Sequence, residues 1–122
     1  MRLFLLVCLG GAAGSGARYL VALWAAERLG RGFPWGTLGV NVLGSFLMGL
    51  IMARGLPEPV RVPVATGVLG GFTTYSAFNH EIAKALEEGL WTRALLYAAA
   101  TLAGCLGAGF AGTLLGRSIS TD

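Results

Sequence analysis

Charged residues are scarce in this chain: Asp, Glu, Lys and Arg together make up 12% of its 122 residues. A soluble globular domain carries roughly 25% charged residues, so this shortage leaves too few to cover a surface that faces water. Hydrophobic residues reach 55% and the mean hydropathy is +0.70. The deficit excludes a soluble globular protein, and the length predicts a single membrane domain over residues 1–122.

Side chains that bind metals or act as nucleophiles are also scarce, with one His and two Cys in the chain. Cys8 and Cys105 lie in apolar runs, where cysteine usually serves as a small filler, and neither spacing suggests a metal site or a disulfide. Ser76, His80 and Glu81 are close in sequence. However, no GxSxG motif surrounds the serine, and adjacent His and Glu residues do not face each other on a helix. We therefore expect no enzyme.

Four long runs contain almost no charge, and each approaches the roughly 20 residues that cross a bilayer as a helix. The first resembles a signal peptide, but its apolar pattern continues past Arg18, which predicts a retained first helix. The net charge of +3 is spread over the helix ends, where lipid headgroups rather than nucleic acid are the expected neighbours. The sequence predicts an all-α membrane protein with spans at about residues 3–27, 34–53, 62–85 and 92–115.

The loops lack the Lys/Arg bias that usually orients a membrane protein. If the four spans alternate in direction, the basic residues divide equally between the two sides. One side would carry Arg2, Arg54, Arg61 and Arg117, and the other Arg28, Arg31, Lys84 and Arg93. Two explanations remain open: another signal directs insertion, or the chain inserts both ways and assembles as an antiparallel dimer.

Glycine is abundant, with 20 residues concentrated in the spans. Small residues four apart allow helix backbones to approach closely in lipid. The pattern favours tight packing and an oligomer, because four small helices alone can hardly enclose a polar pathway. The GxxxG pairs are Gly10/Gly14, Gly67/Gly71 and Gly112/Gly116.

Polar residues recur at helical spacing inside two spans. Thr37 and Asn41 are four apart in the second span, and Tyr97 and Thr101 are four apart in the fourth. Such stripes of hydrogen-bond donors suit an anion that sheds water, although interhelical hydrogen bonding explains them equally well. Arg18 is either a snorkelling side chain or a fixed positive charge in a water-filled vestibule.

Residues 67–78, "GVLGGFTTYSAF", combine glycines with β-branched and aromatic residues. This composition predicts a third helix broken around residues 70–74. Free carbonyls at a break can bind a cation, and the restarted helix N-terminus favours an anion. A glycine-rich packing interface is the alternative. Tyr75 and Phe78, three apart, either pack ordinarily or present positive ring edges to an anion.

At these residues the chain resembles the CrcB/Fluc family of small fluoride channels. The similar motifs are "GGAAGSGARY" (10–19), "GTLGVNVLGSFLMG" (36–49) and "GVLGGFTTYSAF" (67–78). The resemblance implies an antiparallel, dual-topology homodimer with two fluoride pathways. It also implies a central Na⁺ at the subunit interface, bound by the backbone carbonyls of Gly70 and Thr73.

The resemblance also implies roles for individual side chains. Arg18 would line the vestibule and Glu81 would lie beyond the aromatic residues. Two departures stand out: Tyr75 adds a hydroxyl to the family's "TTFSTF" pattern, and Ala77 lacks one. The fluoride pathway would be lined by Thr37, Asn41, Tyr75, Ser76, Phe78, Tyr97 and Thr101.

The function expected from this resemblance is passive fluoride export across a prokaryotic plasma membrane. The alternative is a small dual-topology, proton-coupled exporter of cationic drugs. Such an exporter needs a carboxylate embedded in the membrane; the first span has none, and Glu81 lies late in the third. A structural membrane subunit is a third possibility, which would need glycines but no aligned donors.

Overall fold

The computed structural model describes residues 1–120, so the last two residues of the predicted domain lie outside the described part. Helices account for almost all of that part. In chain order they are α1 (Arg2–Leu29), α2 (Trp35–Ala53), α3 (Glu58–Val62), a π-helical segment (Pro63–Leu69), α4 (Gly70–Phe72), α5 (Tyr75–Glu87) and α6 (Trp91–Ser120).

The helices α1, α2 and α6 are each long and apolar enough to cross a membrane. Many of their large apolar side chains point outward and are exposed, which suits contact with lipid rather than with water. These side chains include Phe4, Leu9, Leu20, Leu95, Leu102, Leu106 and Phe110. This apolar surface identifies the chain as a membrane protein.

The third predicted span is an interrupted helix. It consists of α3, the π segment, α4 and α5, and its backbone becomes extended at Thr73 (φ −92°, ψ 157°) and Thr74 (φ −152°, ψ 124°). Three features act together here: glycines weaken the helix at Gly70 and Gly71, Thr73 is β-branched, and Thr74 is a favourable N-cap. The prediction of four helices with the third broken near its middle is confirmed.

Glycines bring α1 against the π segment and α4. A Cβ atom at Gly14 would collide with the carbonyl oxygen of Val68, and one at Gly71 would lie 2.5 Å from the carbonyl oxygen of Gly11. At such distances no side chain larger than hydrogen fits. The break is therefore held rigidly beside α1, with backbone directly against backbone.

The second glycine interface joins α2 to α6. A Cβ atom at Gly112 would collide with the carbonyl oxygen of Phe46, and one at Gly116 would lie 2.6 Å from that of Leu50. Close packing inside one chain thus accounts for the GxxxG spacing, from which an oligomer was predicted. The same spacing occurs in helix contacts within one chain and between chains. These glycines are therefore no evidence for an oligomer.

Candidate ion pathway

Asn41 clamps the helix break from α2. Its Nδ2 donates a hydrogen bond to the Thr74 carbonyl at 2.9 Å, and its Oδ1 accepts one from the Thr74 backbone N–H at 2.8 Å. The Thr74 hydroxyl then caps α5 by accepting from the Ala77 N–H at 3.2 Å, and it lies 3.2 Å from the Ser76 hydroxyl. The extended residue is thereby held at both its backbone and its side chain.

These hydrogen bonds leave two backbone carbonyls without their helical N–H donors. In an uninterrupted helix the N–H of Thr74 would donate to Gly70, and that of Ala77 to Thr73, by the i to i−4 pattern. Here those N–H groups donate to Asn41 and to the Thr74 hydroxyl instead. The Gly70 and Thr73 carbonyls have lost their helical donors, and uncharged oxygens of this kind suit a hard cation. The break therefore fits the predicted Na⁺ ligands.

Arg18 lies at the same break. Its Nε donates to the Gly71 carbonyl at 3.0 Å, and the side chain is half-buried between α1 and α4. The guanidinium thus hydrogen-bonds a carbonyl within α4, just before the break. It does not line either of the two cavities described below.

A cavity of about 280 Å³ lies where α2 begins, among the ends of α1, α5 and α6. Within it, the Thr37 hydroxyl donates to Oε1 of Glu81 at 2.7 Å. Tyr97 forms part of the same wall. The remaining charged residues around the cavity are Arg31, Lys84, Glu88 and Arg93, so basic side chains outnumber acidic ones.

A larger groove of about 770 Å³ runs along α2, the helix break and α6. Asn41, Tyr75 and Phe78 line the end nearest the break, and Thr101 and Cys105 line the side formed by α6. Tyr75 is 77% exposed and its ring lies 5.8 Å from that of Phe78. The groove is open along its length and presents both polar groups and aromatic rings.

The cavity and the groove lie in series and share no residue. On α2 the boundary falls between Thr37 and Asn41, and on α6 it falls between Tyr97 and Thr101. The rings of Phe78 and Tyr97 meet edge to face across this boundary, with centroids 5.1 Å apart. This aromatic contact therefore lies at the boundary between the two spaces.

Two hydroxyl groups flank that contact without a hydrogen-bond partner among residues 1–120. Tyr97 is 2% exposed and Thr101 is 8% exposed, and neither side-chain oxygen has a partner at hydrogen-bond distance and angle, although the Tyr97 hydroxyl lies near Thr37 and Glu81. They are four residues apart on α6, hence on one face. An unsatisfied buried hydroxyl costs about 1–3 kcal/mol, so the pair is a site where an acceptor would be stabilised.

Most predicted pathway residues fall into two groups. Thr37, Glu81 and Tyr97 line the cavity, whereas Asn41, Tyr75, Phe78 and Thr101 line the groove. Ser76 lines neither, and its hydroxyl lies 3.2 Å from that of Thr74. The two predicted vestibule residues are apart: Arg18 lies at the helix break, whereas Glu81 lines the cavity.

Two further residues take part in the site without having been predicted as site residues. Thr74 is the centre of the hydrogen bonds at the break, and its position just before α5 is an N-cap signal that was available. Phe33, in the loop after α1, contacts Tyr97. No local pattern marks that second residue, because its partner is far away in sequence.

A broken helix, two buried hydroxyls and two spaces lined by both polar and apolar side chains define a small helical membrane protein with a candidate pathway. Comparison with known sequences identifies its family. The sequence model of the family described as "CrcB-like protein, Camphor Resistance (CrcB)" matches residues 5–113. The chain belongs to this family.

Curated relatives match nearly the whole chain. A protein of Anaeromyxobacter dehalogenans (strain 2CP-1 / ATCC BAA-258) is 53% identical, covering 96% of this chain and 97% of its own. One of Chelativorans sp. (strain BNC1) is 49% identical, with coverages of 94% and 96%. One of Sorangium cellulosum (strain So ce56) is 46% identical, with 91% of each chain covered. Each is named "Fluoride-specific ion channel FluC".

Proposed function

We propose that this protein is a fluoride-selective channel. The names of relatives at 46–53% identity over nearly the whole chain support this function. The structural observation that carries it is the pair of unbonded hydroxyls, Tyr97 and Thr101, on either side of the Phe78–Tyr97 contact. Fluoride is a small, strong hydrogen-bond acceptor, and such hydroxyls are donors that replace part of its hydration shell.

The route follows α6. Basic residues around the cavity draw the anion toward the first turn of α2. The anion accepts from the Tyr97 hydroxyl, passes the positive ring edges of the aromatic pair, and then accepts from Thr101 in the groove. Asn41 keeps one amide N–H beyond the one that it donates to Thr74. Movement down the concentration gradient needs no coupled ion, so the export is passive and lowers cytoplasmic fluoride.

The functional unit in this proposal is an antiparallel, dual-topology homodimer. The groove is open along its length and Tyr75 is 77% exposed at its end, so the pathway is walled on one side only. A second copy laid over the groove would close it. The equal division of basic residues between the two sides supports insertion in both directions. A prokaryotic plasma membrane is the matching location.

A structural Na⁺ at the dimer interface belongs to the same proposal. Each chain offers two freed carbonyls, at Gly70 and Thr73, whereas hard cations such as Ca²⁺ take roughly six to eight oxygen ligands. Two copies meeting at the break would supply four. When bound, the ion supplies positive charge and cross-links the broken helices, with no part in moving fluoride.

The test is fluoride efflux from liposomes that contain the purified protein. We expect rapid fluoride release on collapse of the membrane potential, with chloride retained. Thr101→Val removes one hydroxyl while keeping the shape, and we expect it to slow efflux by about tenfold or more, because a desolvated anion loses a donor. Thr92→Val, at an exposed position on the same helix, is the matched control and should match the wild type.

One result would contradict the proposed fluoride channel. Fluoride retained by wild-type liposomes, together with uptake of a quaternary ammonium driven by a proton gradient, would support the drug exporter instead. Loss of fluoride efflux in Thr92→Val as well would show that the hydroxyl on the groove wall has no special role.

A further inference from the structure

Phe33 lies in the short connection between α1 and α2 and reaches inward to the proposed pathway. Its ring meets that of Tyr97 edge to face, with centroids 5.4 Å apart and planes at 75°. On the other side it contacts Trp35, at 4.6 Å. Tyr97 is thus held between Phe33 on the cavity side and Phe78 on the groove side.

The position of the Phe33 ring is well defined by its loop. The chain turns at Gly30, which has a φ of 82°. This left-handed conformation favours glycine. Pro34 limits the backbone next to Phe33, and the Phe33 carbonyl accepts from the Trp35 N–H at 2.8 Å. Pro34 and this hydrogen bond restrict the backbone conformations available on the C-terminal side of Phe33.

Tyr97 is the residue through which Phe33 acts. Its ring is 2% exposed, and its contact with Phe78 is the boundary between the cavity and the groove. A buried ring in contact with two neighbouring rings cannot move far without displacing one of them. Removal of Phe33 would leave a space as large as a benzene ring on the cavity side, and Tyr97 would move into it. The gap between Tyr97 and Phe78 would then widen.

We propose that Phe33 is a positioning residue that sets the size selectivity of the pathway by holding Tyr97 against Phe78. The inference rests on the proposed fluoride channel. A tight contact admits only the smallest halide, whereas a widened one also admits chloride. Selectivity against the larger ion is then determined by a loop residue that does not itself need to touch the anion.

The experiment measures fluoride and chloride efflux for Phe33→Leu, Phe33→Val and Phe33→Ala in the same liposome assay. We expect the chloride-to-fluoride rate ratio to rise as the side chain shrinks, by about tenfold for Phe33→Ala. Phe33→Tyr keeps the ring and should restore the wild-type ratio. Phe4→Ala, at an exposed position on α1 that lines neither space, is the control for loss of an aromatic residue.

The outcomes separate the two proposals. Wild-type liposomes that retain fluoride would contradict the channel itself. A wild type that passes fluoride and excludes chloride, with unchanged ratios in the folded Phe33 variants, would overturn only the role of Phe33. If Phe33→Ala does not fold, Phe33→Leu decides: a purely structural role predicts fewer active dimers with an unchanged ratio, whereas the positioning role predicts a raised ratio.

Discussion

Asn41 and Thr74 form a two-way hydrogen-bonded pair across 33 residues of sequence, at 2.9 Å and 2.8 Å. A side-chain amide reproduces here the donor and acceptor of a peptide group, so α2 pairs with the extended residue as a neighbouring strand would. The pair closes the break and at the same time fixes the floor of the groove.

Asn41→Asp is expected to weaken the protein and its fluoride flux together. The carboxylate still accepts from the Thr74 N–H, but it has no donor for the Thr74 carbonyl and repels it. A buried acceptor left unsatisfied costs about 1–3 kcal/mol. Unfolding in detergent and liposome efflux measure the two effects. Asn79→Asp, at an exposed position on α5, is the control, and equal losses in both variants would contradict a specific role for the pair.

Phe78→Ile should suppress fluoride flux while leaving the proposed dimer intact. The branched side chain fills much of the same volume but has no positive ring edge, and the aromatic contact with Tyr97 is lost. We expect efflux to fall by about tenfold or more, equivalent to ~1.4 kcal/mol in the barrier. Size-exclusion chromatography checks association. Phe4→Ile, facing outward on α1, should conduct normally; wild-type flux in Phe78→Ile would show that the pathway runs elsewhere.

Gly14→Ala and Gly16→Ala form a matched pair on α1. At Gly14 the added methyl collides with the Val68 carbonyl oxygen and lies 2.9 Å from the Phe72 nitrogen, whereas at Gly16 nothing lies within 4 Å. Overpacking costs about 1–3 kcal/mol. Chemical denaturation should show this loss for Gly14→Ala and a stability equal to or above the wild type for Gly16→Ala. Equal stabilities would mean that α1 does not bind the break closely.

Sodium should raise the thermal stability of the protein if the freed carbonyls of the proposed dimer bind it. Saturation at 100 times the dissociation constant stabilises by about 2.7 kcal/mol, so the melting temperature should increase with Na⁺ and not with a large organic cation. Thr73→Val changes the side chain but keeps the carbonyl, so the dependence on Na⁺ should persist. Stability that is the same in both salts would contradict a cation site.

Hydropathy and glycine content allowed much of this architecture to be predicted. Long charge-free runs report helices in lipid because each backbone polar group must be satisfied within its own segment. The break was also visible, since "GGFTT" weakens a helix wherever it occurs. These features depend on a few consecutive residues, and so they can be recognised before any contact is known.

The contacts between helices were decided only by the tertiary structure. The GxxxG spacing at Gly112/Gly116 indicates that backbones approach, yet the pattern is the same whether the neighbour is α2 or another chain. Arg18 has a charge in any context, but its hydrogen bond to Gly71 spans 53 residues. Likewise, nothing near Phe33 in sequence points to Tyr97. Local patterns determine where the chain is helical and where it breaks; only packing decides which side chains meet, because those distances depend on the whole fold.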